Sequence, residues 1–245
     1  MKISILGVQI DNSTLTEVLE KVREFLHTQK QYYIVTVNPE FIMAARKDDE
    51  FKNILNKADL SVADGKGIVF AARRYGDKLK VRITGVDLLW KICEIAQEEG
   101  QSIFLLGSKR GVPDTAAEKI KKQYPNIKIV GAECGYRRWH RQIKDDRLVT
   151  MINRRGPDIL FVAFGQVKQE KWIYHNLPKL HSVKLAMGVG GSFDYISGNV
   201  RRAPQWMRSI GLEWLYRLMR QPWRLFRIIT AVVRFSCAVF LNKQK

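Results

Sequence analysis

Asp64 closes the apolar run Leu60-Ser61-Val62-Ala63 and is followed by Gly65. A carboxylate at a strand end, beside a glycine that lets a ligand approach, can take a proton from an attacking hydroxyl. The same position suits the N-cap of a helix beginning near Lys66, and the residues alone leave both roles open. Thr36 and Asn38, in Thr36-Val37-Asn38-Pro39-Glu40, could hydrogen-bond a sugar or a base. Asn38 before Pro39 reads equally as a helix cap with proline at the first helical position. Gly107-Ser108-Lys109-Arg110-Gly111 offers backbone N–H groups and two cations to a phosphate, or is an ordinary strand-to-helix turn. It matches neither the Walker A pattern nor G-x-G-x-x-G, and Gly188, Gly190 and Gly191 also miss the dinucleotide spacing. Nicotinamide chemistry therefore loses its support. Gln166, Gln169 and Glu170 lie in the segment Phe164–Trp172, where Lys168-Gln169-Glu170 also suits a solvated helix face. No Asp-x-Asp occurs, and His27, His140, His175 and His181 have no ligand spacing, so no metal site is expected.

These residues need elements to hold them. Apolar runs at Ile3–Leu6, Tyr32–Thr36, Leu60–Ala63, Ile103–Leu106, Ile127–Val130, Ile159–Ala163 and Lys184–Met187 suit strands covered on both faces. Helical patterns separate them. Thr14-x-x-Glu17 is a capping box ahead of the stripe Leu15, Val18, Leu19, Val22 and Leu26, and a second stripe from Leu88 to Ala96 ends at Gly100. The alternation predicts an α/β fold, a Rossmann-like and mostly parallel sheet with helices on both faces. Ligands of such sheets bind outside the carboxyl ends of the strands. The segments beginning at Thr36, Ala63, Gly107, Phe164 and Gly188 all fall there.

The chain carries 42 Lys and Arg against 24 Asp and Glu, a net charge of +18, which calls for a polyanionic partner. From Arg201 to Lys245 ten basic residues face one acid, Glu213, so half the excess charge sits in the last 45 residues. This divides the chain into an α/β core over 1–200 and a basic helical appendage over 201–245. Projected on a helix, Arg217, Arg220, Arg224, Arg227 and Arg234 share one arc, and Leu215, Leu218, Leu225, Ile229, Val232 and Val233 lie on another. Pro222 should break this into two helices. The pattern fits an interfacial membrane segment or a helix pair packed on the core with a solvated arginine face. Trp206, Trp214 and Trp223 among arginines would also suit nucleic acid, a reading that leaves the five strand-end segments unexplained. The longest apolar stretch, Leu225–Leu241, contains Arg227 and Arg234 and is a poor membrane span. The N-terminal run does not read as a signal peptide, and three cysteines without a CxxC fit a reducing cytosol. Nothing in the residues excludes a homo-oligomer.

Taken together, TVNPE (Thr36–Glu40), ADG (Ala63–Gly65), RITGVDL (Arg82–Leu88), FLLGS (Phe104–Ser108), PDILFVAFG with KQEKW (Pro157–Trp172), GVGGSFDYISG and RRAPQWMRSIGLEWLYRL (Gly188–Leu218) resemble the WecG/TagA/CpsF family of bacterial glycosyltransferases. One departure is Gln166-Val167, where the family pattern would have a small residue and a proline. The resemblance implies an inverting transfer, free of metal and cofactor, of N-acetylmannosamine from a UDP donor to polyprenyl-diphosphate-linked N-acetylglucosamine, in wall teichoic acid linkage-unit synthesis. Transfer of N-acetylmannosaminuronic acid or another sugar, for enterobacterial antigen, capsule or exopolysaccharide, is the alternative. The resemblance further implies that Asp64 is the base and that Thr36, Asn38 and Gln166 orient the sugar. Arg82, Gly107 and Ser108 of the core, with Arg217, Arg220 and Arg224 of the appendage, would meet the diphosphate, and Gln169 and Glu170 would join the substrate site. The enzyme would work at the cytoplasmic face of an anionic membrane, with no nucleic acid partner.

Overall fold

A computed structural model describes residues 1–135 and 145–242; His140, Lys243 and Lys245 lie outside the described residues. The chain runs β1 (Lys2–Ile5), β2 (Val8–Asp11), α1 (Leu15–His27), β3 (Tyr32–Val37), α2 (Pro39–Ala45), α3 (Asp49–Asn56), β4 (Leu60–Ala63), α4 (Lys66–Arg74) and α5 (Gly85–Glu98). It continues through β5 (Ser102–Gly107), α6 (Val112–Gln123), β6 (Lys128–Glu133), α7 (Asp145–Arg155), β7 (Ile159–Ala163), α8 (Lys168–Asn176), β8 (Leu185–Gly188) and α9 (Ser192–Ile196). The last elements are α10 (Gln205–Ile210), α11 (Glu213–Arg220), α12 (Leu225–Ile229) and α13 (Phe235–Leu241).

Six strands form one sheet in the order β4-β3-β8-β7-β5-β6, and every neighbouring pair is parallel. Apart from the edge strand β6, whose residues are only partly covered, their apolar runs are buried on both faces, as a doubly covered sheet requires. One face carries α2, α3, α4, α7 and α8, and the other α1, α5, α6 and α9. The chain leaves β3 and β7 toward the first face, and β5 and β8 toward the second. Loops thus diverge at the carboxyl ends of adjacent strands, and a crevice opens between them.

The first apolar run is the exception to the expected sheet. Ile3–Leu6 does not join it. Instead β1 pairs antiparallel with β2 through the two-residue turn Leu6-Gly7, Ile5 standing opposite Val8. Asp11 docks this hairpin beside β4 by accepting from the Ser61 N–H at 2.9 Å. Local rules hold elsewhere. Thr14 and Glu17 make the reciprocal capping box (2.7 and 3.2 Å). Asn38 caps α2, its Oδ1 accepting from Phe41 N–H at 3.0 Å, with Pro39 first in the helix.

The C-terminal segment breaks at Pro222. Gln221, extended at φ −139° and ψ 71° as a residue before proline prefers, ends α11. A 3-10 turn over Pro222–Arg224 leads into α12, a π-turn over Thr230–Arg234 and α13. None of the described helices is long and apolar enough to cross a membrane. Phe235 and Val239 are wholly buried in the core layer shared with α2 and α4. Beside Phe235 lies Gly67, where a Cβ would stand 3.6 Å from the Phe235 ring and 2.6 Å from Pro39 Cγ. The far end of the segment is thus anchored in the core by an aromatic plug. Phe235→Ala should cost about 3–5 kcal/mol of stability, in the range for truncating a buried aromatic. Urea unfolding of the full chain checks this, and a loss below about 1 kcal/mol would show that the plug bears little of the packing.

Candidate active site

A cleft of about 1120 Å³ occupies the crevice, ample for a nucleotide-sized ligand. Its floor comes from the ends of β3, β4, β7 and β8, and its roof from α11 and the chain between Pro222 and Ser236. The core and the C-terminal segment therefore share one site.

Asp64 lies on the floor. Its N–H continues the ladder to Val37 O at 2.7 Å, which fixes the residue at the end of β4. It does not cap α4. That position falls to Gly65, at φ +100°, with no side-chain hydrogen bond. Among the described residues the carboxylate accepts one long bond, from Gly85 N–H at 3.4 Å. Enclosure by protein raises its pKa to about 6, and the negative charge of Glu213 adds to the rise; the Gly85 N–H, Arg82 and Arg217 pull the other way. A carboxyl so placed is ionised at neutral pH and poorly satisfied, which is the state of a competent base.

Around it, eight cationic side chains line the cleft against four carboxylates: Lys66, Arg82, Lys109 and Arg110 from the core, and Arg202, Arg217, Arg224 and Arg227 from the C-terminal segment. Their partners are uneven. Arg202 forks onto Asp87 and reaches Thr84 Oγ1 at 3.1 Å, clamping the start of the segment to α5. Arg217 donates through Nε to the Tyr195 hydroxyl and lies over its ring, 4.9 Å from the centroid. Arg227 donates to Glu40 at 2.8 Å and to Gln166 Oε1 at 3.1 Å. The Arg224 side chain makes no hydrogen bond or ion pair among the described residues, and its pKa is lowered by burial and by repulsion from Arg217 and Arg227. Three guanidinium groups crowded with so little counter-charge form a ready site for an anion.

Thr36, Asn38, Asp64, Arg82, Ser108, Gln166, Gln169, Arg217 and Arg224 all line this cleft. Asn38 lines the cleft while its side-chain oxygen caps α2. Three expected residues stand off the wall. Gly107 packs behind it, where a Cβ would meet the Ala163 backbone at 2.7 Å, and it holds Ser108 in place. Arg220 lies over the Tyr216 ring, 5.7 Å from its centroid, on the exposed side of α11. Glu170 is buried behind Gln169 and accepts from Gln169 Nε2 at 2.6 Å and from Val167 N–H at 2.8 Å. Gln169 Oε1 in turn accepts from Gly190 N–H at 3.0 Å. The pair thus ties the loop after β7 to the loop after β8. Gly188 makes room for it, since a Cβ there would lie 2.5 Å from Glu170 Oε1. The bond to Glu170 also holds Val167 at φ +69°, which no proline could adopt. The departure at Gln166-Val167 therefore goes with a loop shape of its own.

Sequence reasoning missed Glu213, Tyr195, Arg202 and Arg227 as parts of the site. Tyr195 and Arg202 stand inside segments already singled out, GVGGSFDYISG and RRAP. Glu213 is the only acid in the C-terminal 45 residues, a signal that its isolation could have given.

The fold and cleft define a Rossmann-like α/β protein whose strand-end crevice sets Asp64 among a surplus of cationic side chains. Residues 3–245 match the model of the glycosyl transferase WecG/TagA/CpsF family, and the chain belongs to that family. It is 39% identical over 221 residues to the N-acetylglucosaminyldiphosphoundecaprenol N-acetyl-beta-D-mannosaminyltransferase of Bacillus subtilis (strain 168), covering 89% of this chain and 84% of that protein. It is 34% identical over 246 residues to the protein of the same name from Staphylococcus aureus (strain MRSA252), covering 100% and 94%.

Burial raises the pKa of Glu170 from 4.5 to about 7, with no cation among its hydrogen-bond partners to offset it. Between those values the folded state holds a proton that the unfolded state has lost, so this group lowers stability as pH rises. Glu170→Gln removes the dependence. Its stability relative to wild type should therefore improve from pH 5 to pH 8 in paired urea titrations. An unchanged gap would mean that the Glu170 carboxyl titrates normally.

Proposed function

We propose that this chain transfers N-acetylmannosamine from a UDP donor to N-acetylglucosaminyl-diphospho-undecaprenol, with inversion at the anomeric carbon. The observation that carries the reading is Asp64, ionised and under-satisfied on the floor of a cleft roofed by Arg217, Arg224 and Arg227. Asp64 takes the proton from the acceptor hydroxyl as its oxygen bonds to the anomeric carbon. The bond from that carbon to the diphosphate oxygen breaks, and its electron pair leaves with UDP. Negative charge grows on the departing diphosphate, where arginines already fixed in place stabilise it without reorganising. Ser108 and the cations Lys109 and Arg110 extend the same electropositive wall. Thr36, Asn38 and Gln166 supply polar groups for the sugar. The names of the relatives, the strand-end carboxylate and the cation cluster support one reading of donor and acceptor.

The outer surface of the C-terminal segment supports docking on a membrane, where a polyprenyl acceptor resides. Trp206, Trp223, Phe226 and Leu241 are exposed beside Arg220, Arg227 and Arg234. Aromatic and aliphatic side chains would enter the headgroup region, and each nearby arginine adds about 1 kcal/mol on an anionic surface.

Asp64→Asn should keep UDP affinity and lose turnover by about 10²–10⁴-fold, measured as disaccharide-lipid formed in single-turnover assays; near-normal turnover would move the base elsewhere. In wild type, kcat/KM should fall below about pH 6, as Asp64 takes up its proton. Glu213→Gln should shift that limb to lower pH, because losing a negative neighbour makes Asp64 easier to ionise. A limb that stays put would separate it from Asp64. Because cations of the chain itself face the leaving group, EDTA should leave turnover unchanged, and activity restored only by Mg²⁺ or Mn²⁺ would overturn this electrostatic account.

A further inference from the structure

A second cleft, of about 720 Å³, lies outside the site described above. It sits between the hairpin turn, the end of α2, α3 and the outer side of α13. Its walls are apolar at Leu6, Met43 and Leu241, and its cations are Arg46, Lys52 and Arg234. None of these three makes an ion pair or a side-chain hydrogen bond among the described residues, and Asp49 is the one carboxylate on the described wall.

Two backbone features shape this cleft. Leu6 and Gly7 form the hairpin turn with φ +50° and +84°. Both central residues of such a turn need positive φ, which makes Asn-Gly its ordinary sequence. A leucine at the first position is strained, and its side chain becomes part of the apolar wall. Gly7 takes the positive φ, and the end of the Lys52 side chain packs over it, its Nζ 2.8 Å from where a Cβ of residue 7 would stand. The chain thus accepts local strain to set an apolar wall beside unpaired ammonium and guanidinium groups.

The cleft is continuous with the exposed side of the C-terminal segment. Val233 is 54% exposed and Leu241 85% exposed, and both line it. An occupant must therefore carry negative charge at one end and hydrocarbon at the other, and must come from the side where Val233 and Leu241 face outward. We propose that this second cleft holds the phosphate and first acyl carbons of an anionic glycerophospholipid, a contact separate from catalysis. The inference rests on the membrane-facing reading of the C-terminal segment and not on the chemistry assigned to Asp64.

Cys237 supplies a native reporter, for it lines the cleft and is exposed, whereas Cys93 and Cys134 are buried. Bimane attached at Cys237 of the full chain should shift to the blue with phosphatidylglycerol vesicles and little with phosphatidylcholine vesicles. Arg46→Gln/Lys52→Gln should weaken phosphatidylglycerol binding by about tenfold or more, two cations being lost near the surface. The charge-matched Lys121→Gln/Lys122→Gln, on α6 across the sheet, should change it much less. Both double variants should keep wild-type turnover on a water-soluble acceptor. Equal losses in the two would reduce the effect to net charge and overturn the site. So would an equal bimane shift with inorganic phosphate alone, which would mark a free-phosphate site. Normal vesicle binding with no turnover would instead count against the proposed reaction and leave the lipid site standing.

Discussion

The structure is organised around a surplus of positive charge that the chain does not neutralise. Among the described residues eight cationic side chains face four carboxylates in one cleft, and the carboxylate on its floor, Asp64, has a single long hydrogen bond. Buried or half-buried charges are costly without partners. Among the described residues the Arg224 guanidinium has no hydrogen bond or ion pair and is crowded by Arg217 and Arg227, an arrangement that an anion would stabilise. A bound anion would relieve this repulsion, and in the proposed reaction the relief would be greatest as the diphosphate gains a further negative charge on leaving the sugar.

This charge arrangement sets what the C-terminal segment must do. Arginines on a loose tail would spread apart and lose their field. Here the segment is fixed at both ends, by the Arg202 fork on Asp87 and by Phe235 in the core between α2 and α4. Between those anchors it spans the cleft, and Pro222 turns the chain so that Arg217 and Arg224 both reach the same space. The helices that do this bury none of their residues over Glu213–Ile229. Their stability cannot come from a core of their own. It comes from the two anchors and the polar bonds to Tyr195, Glu40 and Gln166, and their outward apolar side chains are left to another surface.

The sheet and the floor of the site were legible in the sequence because both follow from local pattern. Leu60–Ala63 and Ile159–Ala163 are apolar runs of strand length, and whatever follows them must lie at the sheet's carboxyl edge. Asp64 was ambiguous for a physical reason: a carboxylate before a glycine is as good a cap as a base, and only the backbone at Gly65 separates the two. The hairpin was hidden because its turn is Leu-Gly, without the Asn or Asp that advertises positive φ. Glu170 was misplaced because a glutamate on a polar helix face looks exposed, and its burial depends on Gly188, eighteen residues on at the end of β8. Contacts of that range, like Glu213 near Asp64, exist only after folding.

The distribution of backbone strain ties these features together. Among the described residues only Leu6, Ser108 and Val167 have positive φ without being glycine. Each such residue costs of order 1–3 kcal/mol and persists only where its surroundings over-determine it. The supports are visible. Ser108 N–H donates to Ala163 O at 2.8 Å, and its hydroxyl reaches Asp194 at 3.4 Å. Val167 is held by the buried carboxylate of Glu170. Leu6 is held by packing on the core and by the register of its hairpin. Ser108 is on the wall of the large cleft, Val167 directly follows Gln166 on that wall, and Leu6 is on the wall of the second. Strain scattered at random would fall on surface turns, where a glycine or asparagine would remove it at no loss. Here two of the three line a cavity, Ser108 the large cleft and Leu6 the smaller one, and Val167 adjoins Gln166 on the large one, so backbone strain gathers at both clefts.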